Sequence, residues 1–331
     1  MSHTKKTLEE LDIMDDFLMN AVASNQEVGE AFCKKLLSVL LQKKIGKVRI
    51  VAQRALFPDK PNLRGIRMDV EVLKLKDEED TASQAVMVSD PHGTNPLDGQ
   101  HTKKEQGTKK ERVTSVYDLE PHPRKNGSLP KRNRFYQAKI DSRYLPSGEE
   151  DFSRIPELYI ISFTDYDPFD KDYMMYVIEN RCVEIPELVY DDGLKFIYFY
   201  TKGIHGGCEV IKNVLKYMRN SNADNGVDEV TREIHNYVSK VKVDPEVKVD
   251  YMKFEEIIYY ERQDAAKEAD KQATLRTKMQ DILELLEEYG VVTQEVRARL
   301  AEEKDEAVLK KWHKLAARVT SIEEFVEKLD V

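Results

Sequence analysis

Two carboxylates stand where strands could carry them into chemistry. Asp69 lies within Gly65-Ile66-Arg67-Met68-Asp69-Val70, and Glu120 ends Val116-Tyr117-Asp118-Leu119-Glu120, just before Pro121-His122. In an alternating strand Met68 and Val70 share one face and Asp69 points to the other. Acids so placed on neighbouring strands form either a solvated polar face or an oxygen-rich pocket for a hard divalent cation such as Mg2+. A cation held there lowers the pKa of a bound water and stabilises the charge of a phosphate undergoing hydrolysis. Downstream, Lys131, Arg132 and Arg134 precede Tyr136 and Gln137 on one predicted helix. Arg132 and Tyr136 are four apart and share a helical face. A guanidinium fork matches two phosphate oxygens, so this is the best candidate for nucleic-acid contact, with a solvated basic helix start as the plainer alternative.

Other signals point to no chemistry. Gly203-Ile204-His205-Gly206-Gly207 lacks the Gly-Lys-Ser/Thr end of a phosphate loop, and no GxSxG or HExxH run is present. His92 and His101 have no partners at metal-ligand spacing. Cys33, Cys182 and Cys208 form no CxxC pair and read as ordinary thiols rather than a disulfide framework or zinc site. Phe196, Tyr198 and Tyr200 read as packing rather than a base-stacking platform.

Elements must then be found to position these groups. Apolar residues recur at helical spacing over residues 7–42, and Ser24-Asn25-Gln26-Glu27 resembles a second helix start, so two helices with a break near Ser24 are expected. Val48, Ile50 and Ala52 alternate with polar residues, as do Ile66, Met68, Val70 and Val72, which predicts two strands of a hairpin. Residues 76–112 lose all periodicity and are expected to be a disordered or partly ordered insertion. A strand resumes at Val113–Glu120, and Pro121 must stop it or lie on an edge. A helix is expected over 130–145, opening with Pro130. The continuous apolar run Leu158–Phe163 predicts a strand buried on both faces. Tyr173–Ile178 and Lys195–Tyr200 predict two more strands, and Glu209–Met218 a helix. Residues 250–288 have few breakers and a highly charged middle, and 275–331 read as a small helical bundle.

Size and charge bound the reading. At roughly 150 residues per domain, a chain of 331 residues suggests two domains. No stretch is long and apolar enough to span a membrane, and Met1–Asp16 has no apolar core of a leader, so a cytoplasmic location is expected. A net charge of −9 argues against nucleic acid when taken as a total. It is unevenly spread: residues 101–134 hold ten Lys/Arg against four acids, whereas residues 250–331 hold 14 against 20. A local cationic patch can engage phosphates on an acidic protein.

The ordered series Asp15-Asp16-Phe17, Arg67-x-Asp69, Val116–Glu120, Leu129-Pro130-Lys131-Arg132-Asn133-Arg134-Phe135-Tyr136-Gln137, Ile140-Asp141 and Asp167-Pro168-Phe169 resembles the PD-(D/E)XK nuclease family transposases, the recombination-promoting nuclease (Rpn) family. The resemblance covers roughly residues 7–220. It implies an α/β, restriction-endonuclease-like mixed sheet flanked by helices in residues 1–220, with an all-α C-terminal extension at 221–331. It implies a DNA endonuclease hydrolysing phosphodiester bonds with Mg2+ or Mn2+ held by Asp69 and Glu120, and no small-molecule cofactor. The Arg and Gln of the following helix lie near the acids in that family, which assigns Lys131, Arg132, Arg134, Tyr136 and Gln137 to DNA. His122 departs from the family pattern, which has Lys or Gln there; it could donate or accept a proton as a third catalytic residue, or mark a degenerate fold that binds DNA or protein. Glu30 and Asp141 are further acids that could approach the site, and a homodimer through helical elements is a possible assembly.

Overall fold

In the computed structural model, which describes residues 6–52, 55–56, 66–76, 112–125, 127–145 and 147–329, the N-terminal stripes form α1 (Asp16–Ser24) and α2 (Gly29–Leu40). The break falls where expected. The Asn25 side chain accepts from the N–H groups of Glu27 and Val28, and the chain folds back so tightly that a Cβ on Gly29 would lie 2.2 Å from the carbonyl oxygen of Ala23. Only glycine allows that approach.

The strands are β1 (Val48–Ala52), β2 (Ala55–Leu56), β3 (Ile66–Arg67), β4 (Val70–Leu75), β5 (Val113–His122), β6 (Glu157–Thr164), β7 (Met175–Ile178) and β8 (Leu194–Tyr200). Six of them form a mixed sheet in the order β1-β4-β5-β6-β8-β7. β5, β6 and β8 are parallel neighbours, and β1 with β4, β4 with β5, and β7 with β8 are antiparallel. A parallel step needs a crossover. Between β5 and β6 it contains α3 (Leu129–Asp141).

Alternation divides the sheet into two faces. One carries Val70, Val72, Tyr117, Leu119, Ile161, Phe163, Ile197 and Phe199, all buried. Lys43, just past α2, lies over the rings of Tyr117 and Tyr159 on this side, and α2 packs on α4 (Glu209–Arg219) and α5 (Glu229–Val243). On the other face Leu73, Val116, Leu158 and Ile160 pack against Tyr136 and Ile140 of α3. Each fully buried side chain of this kind contributes about 1.5–3 kcal/mol.

Three expectations are corrected. Ile66 to Val72 is not one strand: it breaks at Met68-Asp69, so Asp69 precedes β4 rather than lying inside it. β5 does not stop at Glu120 but runs through Pro121 to His122 in the middle of the sheet. This is possible because β4 begins at Val70, opposite Leu119, so among the described residues Pro121 meets no strand on that side and pairs only with β6. The division of the chain is also later than residue 220. The two compact units are Met1–Tyr251 and Met252–Val331, and α5 belongs to the first because it packs on α1, α2 and α4.

α6 (Pro245–Glu287) begins before residue 250 and crosses the division. In the second unit its end joins α7 (Gln294–Glu302), α8 (Glu306–Ala316) and α9 (Ile322–Leu329) around Ile282, Leu286, Leu300, Leu309 and Phe325. The molecule is thus a mixed sheet flanked by helices, followed by an all-helical region. Most of the expected insertion, residues 77–111, with His92 and His101, lies outside the described residues. No helix among the described residues is long and apolar enough to cross a membrane.

Candidate functional site

The face beneath α3 is apolar at one end and charged at the other. Antiparallel pairing sets Glu71 directly opposite Asp118, and the same register continued brings Asp69 beside Glu120. Period-two alternation keeps Asp118, Glu120 and His122 on one face of β5. The sequence therefore delivers four carboxylates to one patch, where only Asp69 and Glu120 were expected as ligands.

Glu120 is the centre. Its side chain is 1% exposed, its Oε1 accepts from the Asp69 N–H at 3.1 Å, and its Oε2 accepts from Arg132 Nη2 at 2.7 Å. Arg132 also donates to the Tyr136 hydroxyl at 2.8 Å and lies 4.7 Å from that ring, so the helical spacing of these two residues does place them together. The Arg132 side chain remains 39% exposed and joins the buried acids to the solvent. Arg143, just past α3, is ion-paired with the buried Glu71. Asp118 is fully buried, and neither of its carboxylate oxygens has a hydrogen-bond partner among the described residues.

This packing moves the protonation equilibria. Burial, then the Asp69 and Glu71 charges, push the Asp118 carboxyl well above the usual carboxylate range. Burial and the charges of Asp118 and Asp69 do the same to Glu120 and outweigh Arg132. His122 moves the other way: burial and the Arg132 charge push it down to about 3. Its imidazole is therefore neutral at pH 7. Its Nε2 lies 4.0 Å from Glu120 Oε2 and has no hydrogen-bond partner among the described residues.

The remaining expected residues are not gathered here. Gln137 donates to Asp141 along α3 at 2.9 Å, and Glu30 pairs with Lys34 on the surface of α2. Lys131 and Arg134 are exposed on α3, as a phosphate contact requires. Glu71, Asp118 and Arg143 were not expected. The alternation that singles out Asp69 and Glu120 also singles out Glu71 and Asp118, two residues along each chain.

The residues present fit a divalent cation on charge. Four carboxylates, Asp69, Glu71, Asp118 and Glu120, face two guanidinium groups, Arg132 and Arg143, with His122 neutral. If all four ionise, the surplus equals one divalent cation. A bound cation inverts the local pKa logic and favours the ionised acids. Among the described residues no three His, Cys, Asp or Glu side chains already form a coordination cage. Mg2+ is commonly bound through one or two carboxylates while keeping several waters.

The chain matches no family model, no curated protein and no solved structure.

Proposed function

We propose that the chain is a metal-dependent DNA endonuclease of the recombination-promoting, transposase-like kind, with a restriction-endonuclease-like first unit. The observation that carries this reading is the buried excess of carboxylates at one end of the sheet face, reaching solvent beside a basic helix. Asp69 and Glu120 would hold Mg2+ or Mn2+, which when bound polarises a phosphate and lowers the pKa of a coordinated water.

The chain's own groups supply the rest. Arg132, half in the site and half in solvent, is placed to accept a phosphate in exchange for part of its contact with Glu120. Lys131 and Arg134 add exposed positive charge along the same helix, and Tyr136 holds the guanidinium in place. Neutral His122 can orient a water or a phosphate oxygen without adding charge; a group titrating near 3 is a weak base at neutral pH. A cytoplasmic location is part of the same reading.

One observation favours a second reading. Arg132 already neutralises the Glu120 oxygen nearest His122, and no cationic residue stands at the family's Lys position. A fold kept for binding DNA or protein without hydrolysis would show the same. Plasmid cleavage in Mg2+ and in Mn2+, beside Mn2+ calorimetry, separates the two. The nuclease reading expects nicking and Mn2+ uptake, both lost in Asp69→Ala and Glu120→Ala. Cleavage by the unaltered chain that is no greater than that by Asp69→Ala overturns it, and absence of Mn2+ uptake as well leaves the binding fold.

A further inference from the structure

We propose that the outer edge of β7 and the loop after it form a docking surface for an extended, basic and apolar segment of a partner protein. Among the described residues β7 closes one end of the sheet, with β8 on its inner side only. Tyr200 N–H donates to the Met174 carbonyl, and Met174 N–H to that of His205, so residue 174 bonds inward. By alternation Met175 and Val177 turn their N–H and C=O groups outward, away from β8.

Natural edge strands are kept very short or are blunted with charge, proline, a bulge or a covering element, because an open row of backbone groups templates further pairing. β7 is short, at four residues, and the loop after it extends the surface. β7 reads Met-Tyr-Val-Ile and has no such charge or proline. Val177 and Ile178 are exposed.

The adjoining loop, residues 179–193, adds to this surface. Asn180 donates to Asp192 at 2.7 Å and closes its base, so it is a pinned projection rather than a loose connection. Val183 is 81% and Val189 84% exposed, with Leu188 and Tyr190 also outward. Exposed apolar side chains this close along the chain are the kind from which apolar patches at interaction sites are built. The loop carries five acids, Glu179, Glu184, Glu187, Asp191 and Asp192, against Arg181 alone. That charge repels nucleic acid and selects a cationic peptide. The edge demands an extended backbone, the apolar projections demand apolar side chains, and the acids demand Lys or Arg between them. Strand addition meets all three: backbone bonds supply affinity and alternate side chains supply selection.

The test uses the full chain and a fluorescein-labelled twelve-residue peptide alternating Val or Tyr with Lys, read by fluorescence polarisation. Three probes compare with it: the same peptide with Pro at alternate positions, an alternating Val–Glu peptide, and a short DNA duplex. Saturable binding of the Val–Lys peptide, at least tenfold tighter than either comparison peptide, is expected. Glu184→Lys with Glu187→Lys, both exposed, should weaken it at least tenfold with an unchanged circular dichroism spectrum. Val177→Lys should weaken it without touching the loop. Equal binding of the Pro-containing peptide overturns strand addition. Duplex binding as tight as that of the Val–Lys peptide, and blocked by Val177→Glu, overturns the choice of a protein partner. A concentration-dependent dimer in sedimentation velocity, abolished by Val177→Lys, overturns it in favour of a second copy of this chain.

Discussion

In the second unit the buried side chains are apolar: Ile282, Leu286, Leu300, Leu309 and Phe325 meet beneath charged outer helix faces. In the first unit the face under α3 buries Glu71, Asp118, Glu120, Asn133 and Ser162 a few residues from Val116 and Ile160. Among the described residues every buried polar or charged side chain lies in the first unit. Burying apolar surface favours folding, whereas burying an ionisable group without full compensation opposes it. The helical unit is therefore built for stability. The charged end of the sheet face sacrifices stability, the signature expected where side chains are held for chemistry.

The largest effect should come from the stability side of this contrast. Phe325→Ala removes a fully buried ring and is expected to cost the second unit about 3–5 kcal/mol. The only tryptophan, Trp312, packs on that core and reports its unfolding by fluorescence in denaturant. Mn2+ uptake measured by calorimetry in native buffer should be unchanged; a loss would break the separation of roles.

A change in the first unit should have the opposite sign. Asp118→Asn replaces a buried, unpartnered carboxyl by an amide that never ionises, and is expected to raise stability where the carboxyl would otherwise have to carry a charge. The gain should depend on pH. Asp118 titrates higher folded than unfolded, so its favourable share is present below the ordinary carboxylate range and lost as pH rises through the folded value. Denaturation midpoints from pH 4 upward, without metal, should show the variant pulling ahead as pH increases. A variant less stable throughout would mean that this carboxyl has a compensation not seen in its surroundings.

His122 supplies the reverse slope. Its folded value of about 3 lies below the ordinary 6.5, so its share of stability is present above 6.5 and lost as pH falls towards 3. His122→Gln should leave stability at pH 8 nearly unaltered and flatten the acid limb of the midpoint curve. An unchanged acid limb would place the histidine in contact with water. The smallest effect belongs to the exposed cations. Arg134→Ala should reduce the salt dependence of duplex binding by about one unit of log–log slope. Titrations at several salt concentrations measure it, and an unchanged slope would remove this face of α3 from the DNA contact.

Parts of this contrast are legible in the chain. The break near Ser24, the strands at Val48–Ala52 and Leu194–Tyr200, and the helical C-terminus follow from local periodicity. Asp69, Glu120, Arg132 and Tyr136 could be selected by type and spacing, and the fold brings them together. Glu71 and Asp118 obey the same alternation, yet whether such acids meet water or protein depends on what covers the sheet. Gln137 shows the converse: its type and helix suit the site, but its amide is held by Asp141.

The chain by itself thus determined most of the segments that become helix or strand, and which side chains within them share a face, because those depend on neighbours a few residues apart. Only the tertiary structure decided that Asp69 sits at a break and donates its N–H to Glu120, 51 residues away. It also decided that Pro121 can lie in a central strand, and that α3 covers the acids and moves the histidine to about 3. Strand register and burial are long-range properties, and they turn four ordinary acids into one charged site.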